Sequence, residues 1–189
     1  MKASLMVLSA FVVTISVALA AQSSERTERA TFVPSWSATL IQASHCVSES
    51  DVCDIDLFLQ TKGTKRRLLA SQLIGTIVVL GPARAIFSCE DNATQSTKGP
   101  KLIALDGTVR NLTAHAGFLR ECKALGDGVG VALIYNAGGN GQSLSNVVRV
   151  FDGHGTILLE RTLRIAGMIE VSVNGRTYKV SVPPPEEPG

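Results

Sequence analysis

Residues 169–182 read IEVSV, then Asn174-Gly175, then RTYKVSV. Ile169, Val171 and Val173 alternate with Glu170 and Ser172, and Tyr178, Val180 and Val182 alternate with Thr177, Lys179 and Ser181. Side chains on a strand point to opposite faces with a period of two, so each half presents one apolar and one polar face. The Asn-Gly pair between them accepts the positive φ angles of a tight two-residue turn. The stretch predicts a half-buried antiparallel hairpin, and the rest of the chain is read outward from it.

The same grammar recurs upstream. Asp106-Gly107 separates KLIAL (101–105) from TVRNL (108–112), and Asp152-Gly153-His154-Gly155 separates VVRVF (147–151) from TILLE (156–160). Short runs rich in Val, Ile and Leu alternate with Gly, Asn and Asp, so the predicted fold class is all-β, built of antiparallel hairpins and meanders. Residues 118–126 (FLRECKALG) compete for a helix, because their apolar positions fall at helical spacing and Gly126 could cap the end. A segment of about two turns is marginal as an isolated helix. Strand and single helical turn both stay open there.

The chain also resembles itself. Residues 36–41 (WSATLI), shifted by 47, meet 83–88 (ARAIFS), and shifted by 47 again meet 130–135 (GVALIY). The column Ala38/Ala85/Ala132 is identical and Leu40/Phe87/Ile134 is apolar throughout. Residues 55–58, 102–105 and 148–151 then supply a following strand. Leu68-Leu69, Leu112 and residues 157–159 supply another after a Gly-containing turn. Units of this length fit four-stranded blades, each of which needs a neighbour to bury its faces.

Residues 32–37 (FVPSWS), followed by 54–58 (DIDLF), a Gly turn and Arg67-Leu68-Leu69, resemble the blade repeat of Tol-type periplasmic propellers. Residues 101–105, Asp106-Gly107 and 109–113 (VRNLT) resemble the second half of the same blade. The resemblance covers about three degenerate units, residues 32–163. It implies a propeller-like architecture and a role in protein–protein contact. Three blades fall short of the usual minimum of about four. The expectation is therefore a partial propeller, completed by self-association, or a two-sheet sandwich.

The N-terminus addresses compartment. Met1-Lys2 precedes an apolar run over residues 5–19 that ends in Ala18-Leu19-Ala20. A basic start, a short apolar core and a small-x-small site describe a secretory signal peptide, here residues 1–20. Residues 21–31 (AQSSERTERAT) read as a flexible lead-in, 32–182 as a single all-β domain, and 183–189 (PPPEEPG) as a disordered Pro-rich tail. The expected localisation is secreted or periplasmic, with no membrane span after cleavage. Cys46, Cys53, Cys89 and Cys122 all follow the leader, and an even count in an oxidising compartment predicts two disulfides. Four cysteines allow three pairings; the preferred one joins Cys46 to Cys53 and Cys89 to Cys122.

The formal charge of +2 falls by one when Lys2 leaves, and the basic residues are scattered except for Lys65-Arg66-Arg67. With only Trp36, two Tyr and six Phe, the chain lacks the concentrated basic and aromatic face of a nucleic-acid binder. Catalytic patterns are sparse. No G-x-S-x-G elbow occurs, and His45, His115 and His154 all sit beside turn-like sequence. Asp152 is close enough in sequence to orient His154. Asp51, Asp54 and Asp56 resemble the start of a calcium loop but lack its glycine and terminal Glu. Gly138-Gly139-Asn140-Gly141-Gln142-Ser143 is Gly-rich like a phosphate loop, yet a β-run follows it where a phosphate loop needs a helix. It reads as a connection at which ligand contacts are tolerated. No metal or cofactor is expected.

These readings point to an exported, non-enzymatic β-rich module that contacts an envelope or extracellular protein or peptide. The candidate contacts are Trp36, for its interface chemistry, and Gly138, Gly139, Asn140, Gly141 and Gln142. Core packing is the competing role for Trp36. Two other functions stand beside this one: a small secreted hydrolase using a His and a carboxylate, and an inhibitor of a foreign enzyme.

Overall fold

The computed structural model describes residues 24–47, 53–89, 99–112, 117–126, 128–137 and 144–185. The expected signal peptide lies outside these residues. The first sheet is a meander of β1 (Ser24–Val33), β2 (Ala38–Val47), β3 (Cys53–Thr61) and β4 (Arg67–Leu73), with a 3₁₀ turn at Pro34–Trp36. The second is β5 (Thr76–Leu80), β6 (Ala85–Cys89), β7 (Lys101–Ala104) and β8 (Val109–Asn111). The third is β9 (Phe118–Leu125), β10 (Gly130–Ala137), β11 (Ser145–Asp152) and β12 (Ile157–Leu163). The hairpin β13 (Gly167–Val173) and β14 (Arg176–Val182) follows, turning at Asn174 and Gly175, both at positive φ. Every pairing is antiparallel, so the all-β reading with hairpins and meanders describes this chain.

The sheets stack face to face in chain order, and residue parity decides which neighbour each side chain meets. Leu40 and Leu57 of the first sheet pack with Ile86 and Ile103 of the second. Phe87, one residue along from Ile86, points the other way and packs with Val131, Leu133 and Phe151 of the third. Ile134 and Val148 in turn meet Ile169, Val171 and Val180 of the hairpin. Inner sheets bury both faces, which is why β6 and β10 read as almost unbroken apolar runs. The hairpin buries one face and alternates. A fully buried leucine such as Leu40 contributes about 1.5–3 kcal/mol relative to exposure.

The 47-residue register falls on equivalent strands. Its first column set lies in β2, β6 and β10, and its second falls on β3, β7 and β11. Leu40, Phe87 and Ile134 each face the next sheet along the chain. No strand pairing or shared apolar cluster joins the hairpin to the first sheet among the described residues. The described sheets form an open stack with sandwich-type interfaces in series.

Three local readings are sharpened. Residues 24–31 were expected to be a flexible lead-in, yet they form most of β1 and pair in register with β2. Their polarity reflects an edge strand with no sheet packed on its outer side. Residues 118–125 are strand β9, because pairing with β10 supplies the backbone partners that an isolated short helix would lack. At the far end, Pro183 and Pro184 cannot extend a ladder, but their carbonyls accept from Asn146 Nδ2 (2.7 Å) and Arg120 Nη1 (2.6 Å). Residues 186–189 lie outside the described residues.

Both disulfides form as the preferred pairing had it. Cys46–Cys53 links register partners on β2 and β3, and Cys89–Cys122 ties β6 of the second sheet to β9 of the third. No helix among the described residues is long and apolar enough to cross a membrane. The disulfides are consistent with an extracytoplasmic protein.

Candidate functional site

Trp36 ends the 3₁₀ turn that Pro34 opens, with Ser37 at φ 50° reversing the chain into β2. The ring is 5% exposed and packs in the interface between the first and second sheets. Its Nε1–H donates to the Gly81 carbonyl at 2.9 Å, so the indole fastens the first sheet to the β5–β6 turn. Gly138, Gly139, Asn140, Gly141 and Gln142 join β10 to β11 and lie outside the described residues.

Among the described residues, His45 and His154 lie apart and are not joined to a nucleophilic side chain. His45 Nε2 lies 3.5 Å from Asp56 Oδ2 on the first sheet, with both side chains partly exposed. His154 is exposed in the β11–β12 turn. Asp152 Oδ1 accepts from the backbone N–H of His154 and of Thr156, each at 2.8 Å, so this oxygen bonds the turn backbone. It shapes the turn rather than orienting the imidazole. His115 and Asp51 lie outside the described residues. No cluster of three or more metal-ligating side chains occurs among the described ones.

The outer face of the first sheet, turned away from the second, gathers side chains that sequence spacing keeps apart. Register aligns Ala30, Ile41, Phe58 and Leu68 in one row across all four strands, and Phe32, Thr39 and Gln60 in the next. The middle of this face is covered, with Ile41 9% and Ala43 0% exposed. The cover includes Arg66, whose guanidinium lies 4.7 Å from the Phe58 ring centroid and donates to Glu28 Oε1 at 3.1 Å. Arg26 donates to the same oxygen at 3.0 Å. The hydrogen bond from Arg66 has the largest effect on the Glu28 carboxyl; it outweighs desolvation and, with smaller help from the Arg66 charge and from Arg26, holds the group below the usual glutamate range.

The flanks of the face are open. Phe32 is 63% and Leu68 50% exposed. Beside Phe32 a cavity of about 340 Å³ is lined by Thr39, Gln60, Lys62 and Gly63. Large exposed apolar side chains grouped on one face mark interaction surfaces, unlike the same residues scattered singly. The basic triplet is divided between two jobs. Arg66 lies on this face, whereas Arg67 reaches the second sheet and donates to the carbonyls of Asp106 (2.9 Å) and Leu105.

Phe32, Phe58, Leu68 and Arg66 escape a reading of the sequence alone. The available signal was the alternation of residues 29–33 (RATFV), which the charges of residues 25–29 disguise as linker. No family model, curated protein or solved structure matches the chain.

Proposed function

We propose that this chain is an exported, non-enzymatic binding module that engages an envelope or extracellular protein through an extended peptide segment. The segment lies on the outer face of the first sheet. One observation carries the reading: Phe32 and Leu68 stay exposed on a face whose centre is otherwise closed, and a cavity opens directly beside Phe32. Lys62 lines this cavity and no acidic residue occurs among positions 59–67, so the favoured segment places an apolar side chain in the cavity and acidic residues beside it. The signal-type leader, the two disulfides and the resemblance to Tol-type blades all support an extracytoplasmic binding role.

Selection from a displayed random-peptide library tests this. Enrichment of peptides pairing an apolar residue with neighbouring Asp or Glu is the expected result. Capture should be lost when Phe32 and Leu68 are both replaced by Ser. Absence of enrichment, or capture indifferent to those substitutions, would overturn the proposal.

A further inference from the structure

At one end of the stack the turns of successive sheets converge on a second cavity, of about 220 Å³. The β5–β6 turn contributes Ala83 and Arg84, the β9–β10 turn Val129, the β11–β12 turn Asp152 to His154, and the hairpin turn Asn174. These turns are locked together. The backbone of Gly153 lies so close to Ala83 that a Cβ there would collide with the alanine methyl. A Cβ on Gly128 would meet the Val79 carbonyl at 2.8 Å. The walls are therefore set before any ligand arrives, which lowers the ordering cost of binding.

The polar groups here are mostly donors that the fold does not use. Arg84, Asn174 and the His154 ring make no side-chain hydrogen bond or ion pair among the described residues. Asp152 brings the lining's carboxylate, and its Oδ1 already accepts two backbone N–H groups. Arg110 adds a second guanidinium behind the turn, where Nη2 donates to the His154 carbonyl. Arg84 is thus the guanidinium of the lining itself, opposite a carboxylate already engaged by the turn backbone. Arg84 also sits at φ 53°, in the left-handed region that favours glycine. Strained backbone positions cluster at ligand-binding sites, and this one lies beneath an unpaired, solvent-facing cation.

We infer that this cavity is an oxyanion site for a short organic acid, with the planar guanidinium of Arg84 pairing with a carboxylate and Asn174 donating beside it. The volume is below the roughly 300–1,000 Å³ typical of drug-sized ligands, which selects an acid of a few carbons. A planar fork matches a carboxylate in two parallel hydrogen bonds. The site is separate from the apolar face of the first sheet and stands without it.

The test is titration of the isotope-labelled, oxidised protein with acetate, succinate and inorganic phosphate at constant ionic strength, read by amide chemical shifts. Saturable shifts confined to residues 83–84, 153–155 and 174–175 are expected with the carboxylates. Arg84→Gly should weaken binding by roughly tenfold or more while leaving the melting temperature at or above that of the parent, since glycine adopts this φ without strain. Asn174→Gly, equally at ease in its turn, should weaken it severalfold. Shifts that never saturate, an Arg84→Gly variant that binds as well as the parent, or phosphate binding tighter than succinate would each overturn the assignment.

Discussion

The Arg66 guanidinium rests 4.7 Å from the centroid of the Phe58 ring and reaches on to Glu28, so one side chain spans the outer face of the first sheet from β3 to β1. An aromatic face attracts a cation, and the carboxylate fixes its direction.

A pH dependence follows from this arrangement. The Glu28 carboxyl is held below its ordinary value in the folded protein, chiefly by the hydrogen bond from Arg66. A group with a depressed folded pKa contributes stability above its unfolded pKa and loses that contribution as pH falls through the folded one. The Arg66–Glu28 link should therefore be intact at neutral pH and release below the usual glutamate range. Carboxyl carbon shifts followed against pH check this. Arg66→Ala should move the Glu28 midpoint up toward 4.5, and an unchanged midpoint would show that Arg66 is not the cause.

Trp36 fastens two sheets, and its two contributions separate by substitution. Trp36→Phe keeps most of the buried area but leaves the Gly81 carbonyl without its donor, at an expected cost of about 1–2 kcal/mol. Trp36→Ala also empties the site and should cost about 3–5 kcal/mol. Urea unfolding followed by far-UV circular dichroism measures both. Equal losses for the two variants would show that the ring's packing adds nothing beyond the hydrogen bond to Gly81.

The disulfides differ in reach. Cys46–Cys53 closes a sequence separation of 7, whereas Cys89–Cys122 closes one of 33 and joins two sheets. Loop-closure entropy alone gives about 2 kcal/mol for the first and about 4 for the second. Paired Cys→Ala variants should therefore rank in that order in denaturant midpoint, and the reverse order would show that local strand pairing outweighs chain entropy.

Much of the architecture was legible because burial writes itself into periodicity. The 169–182 hairpin alternates because one face is buried, and the 47-residue columns repeat because Leu40, Phe87 and Ile134 answer to the same packing position. Strand β1 was concealed for the opposite reason. Its outer face meets no sheet, and Arg26 and Glu28 occupy positions that an inner strand would fill with Val or Ile. Charges on an edge strand also discourage edge-to-edge pairing with other chains. Strand β9 is exposed or half-buried over all but its last residue, so burial imposes no strand alternation on it and its apolar residues fall at helical spacing instead. The candidate face could not be read at all, since only strand register pairs Phe58 with Leu68 and brings Phe32 onto the same face. Trp36 suits a core and an interface equally by residue type, and the β5–β6 turn closing against it decides its depth.

Two phenylalanines separate folding from binding. Phe87 is fully buried and pairs with Phe151 at a ring-centroid distance of 5.5 Å, so Phe87→Ala should cost about 3–5 kcal/mol. Phe32 is mostly exposed, and Phe32→Ser should stay within about 0.5 kcal/mol of the parent. Thermal and urea unfolding of both variants checks the contrast. A Phe32→Ser variant as unstable as Phe87→Ala would assign Phe32 to the core and remove it from the binding face.

The most direct measurement of the proposed role is fluorescence anisotropy of a labelled peptide taken from the display selection. It is titrated with the parent protein, the Phe32→Ser/Leu68→Ser variant and Arg84→Gly. The account predicts saturable binding to the parent, a loss of roughly tenfold or more in the double variant with its unfolding midpoint unchanged, and parental affinity in Arg84→Gly. Equal binding to the parent and the double variant would contradict it.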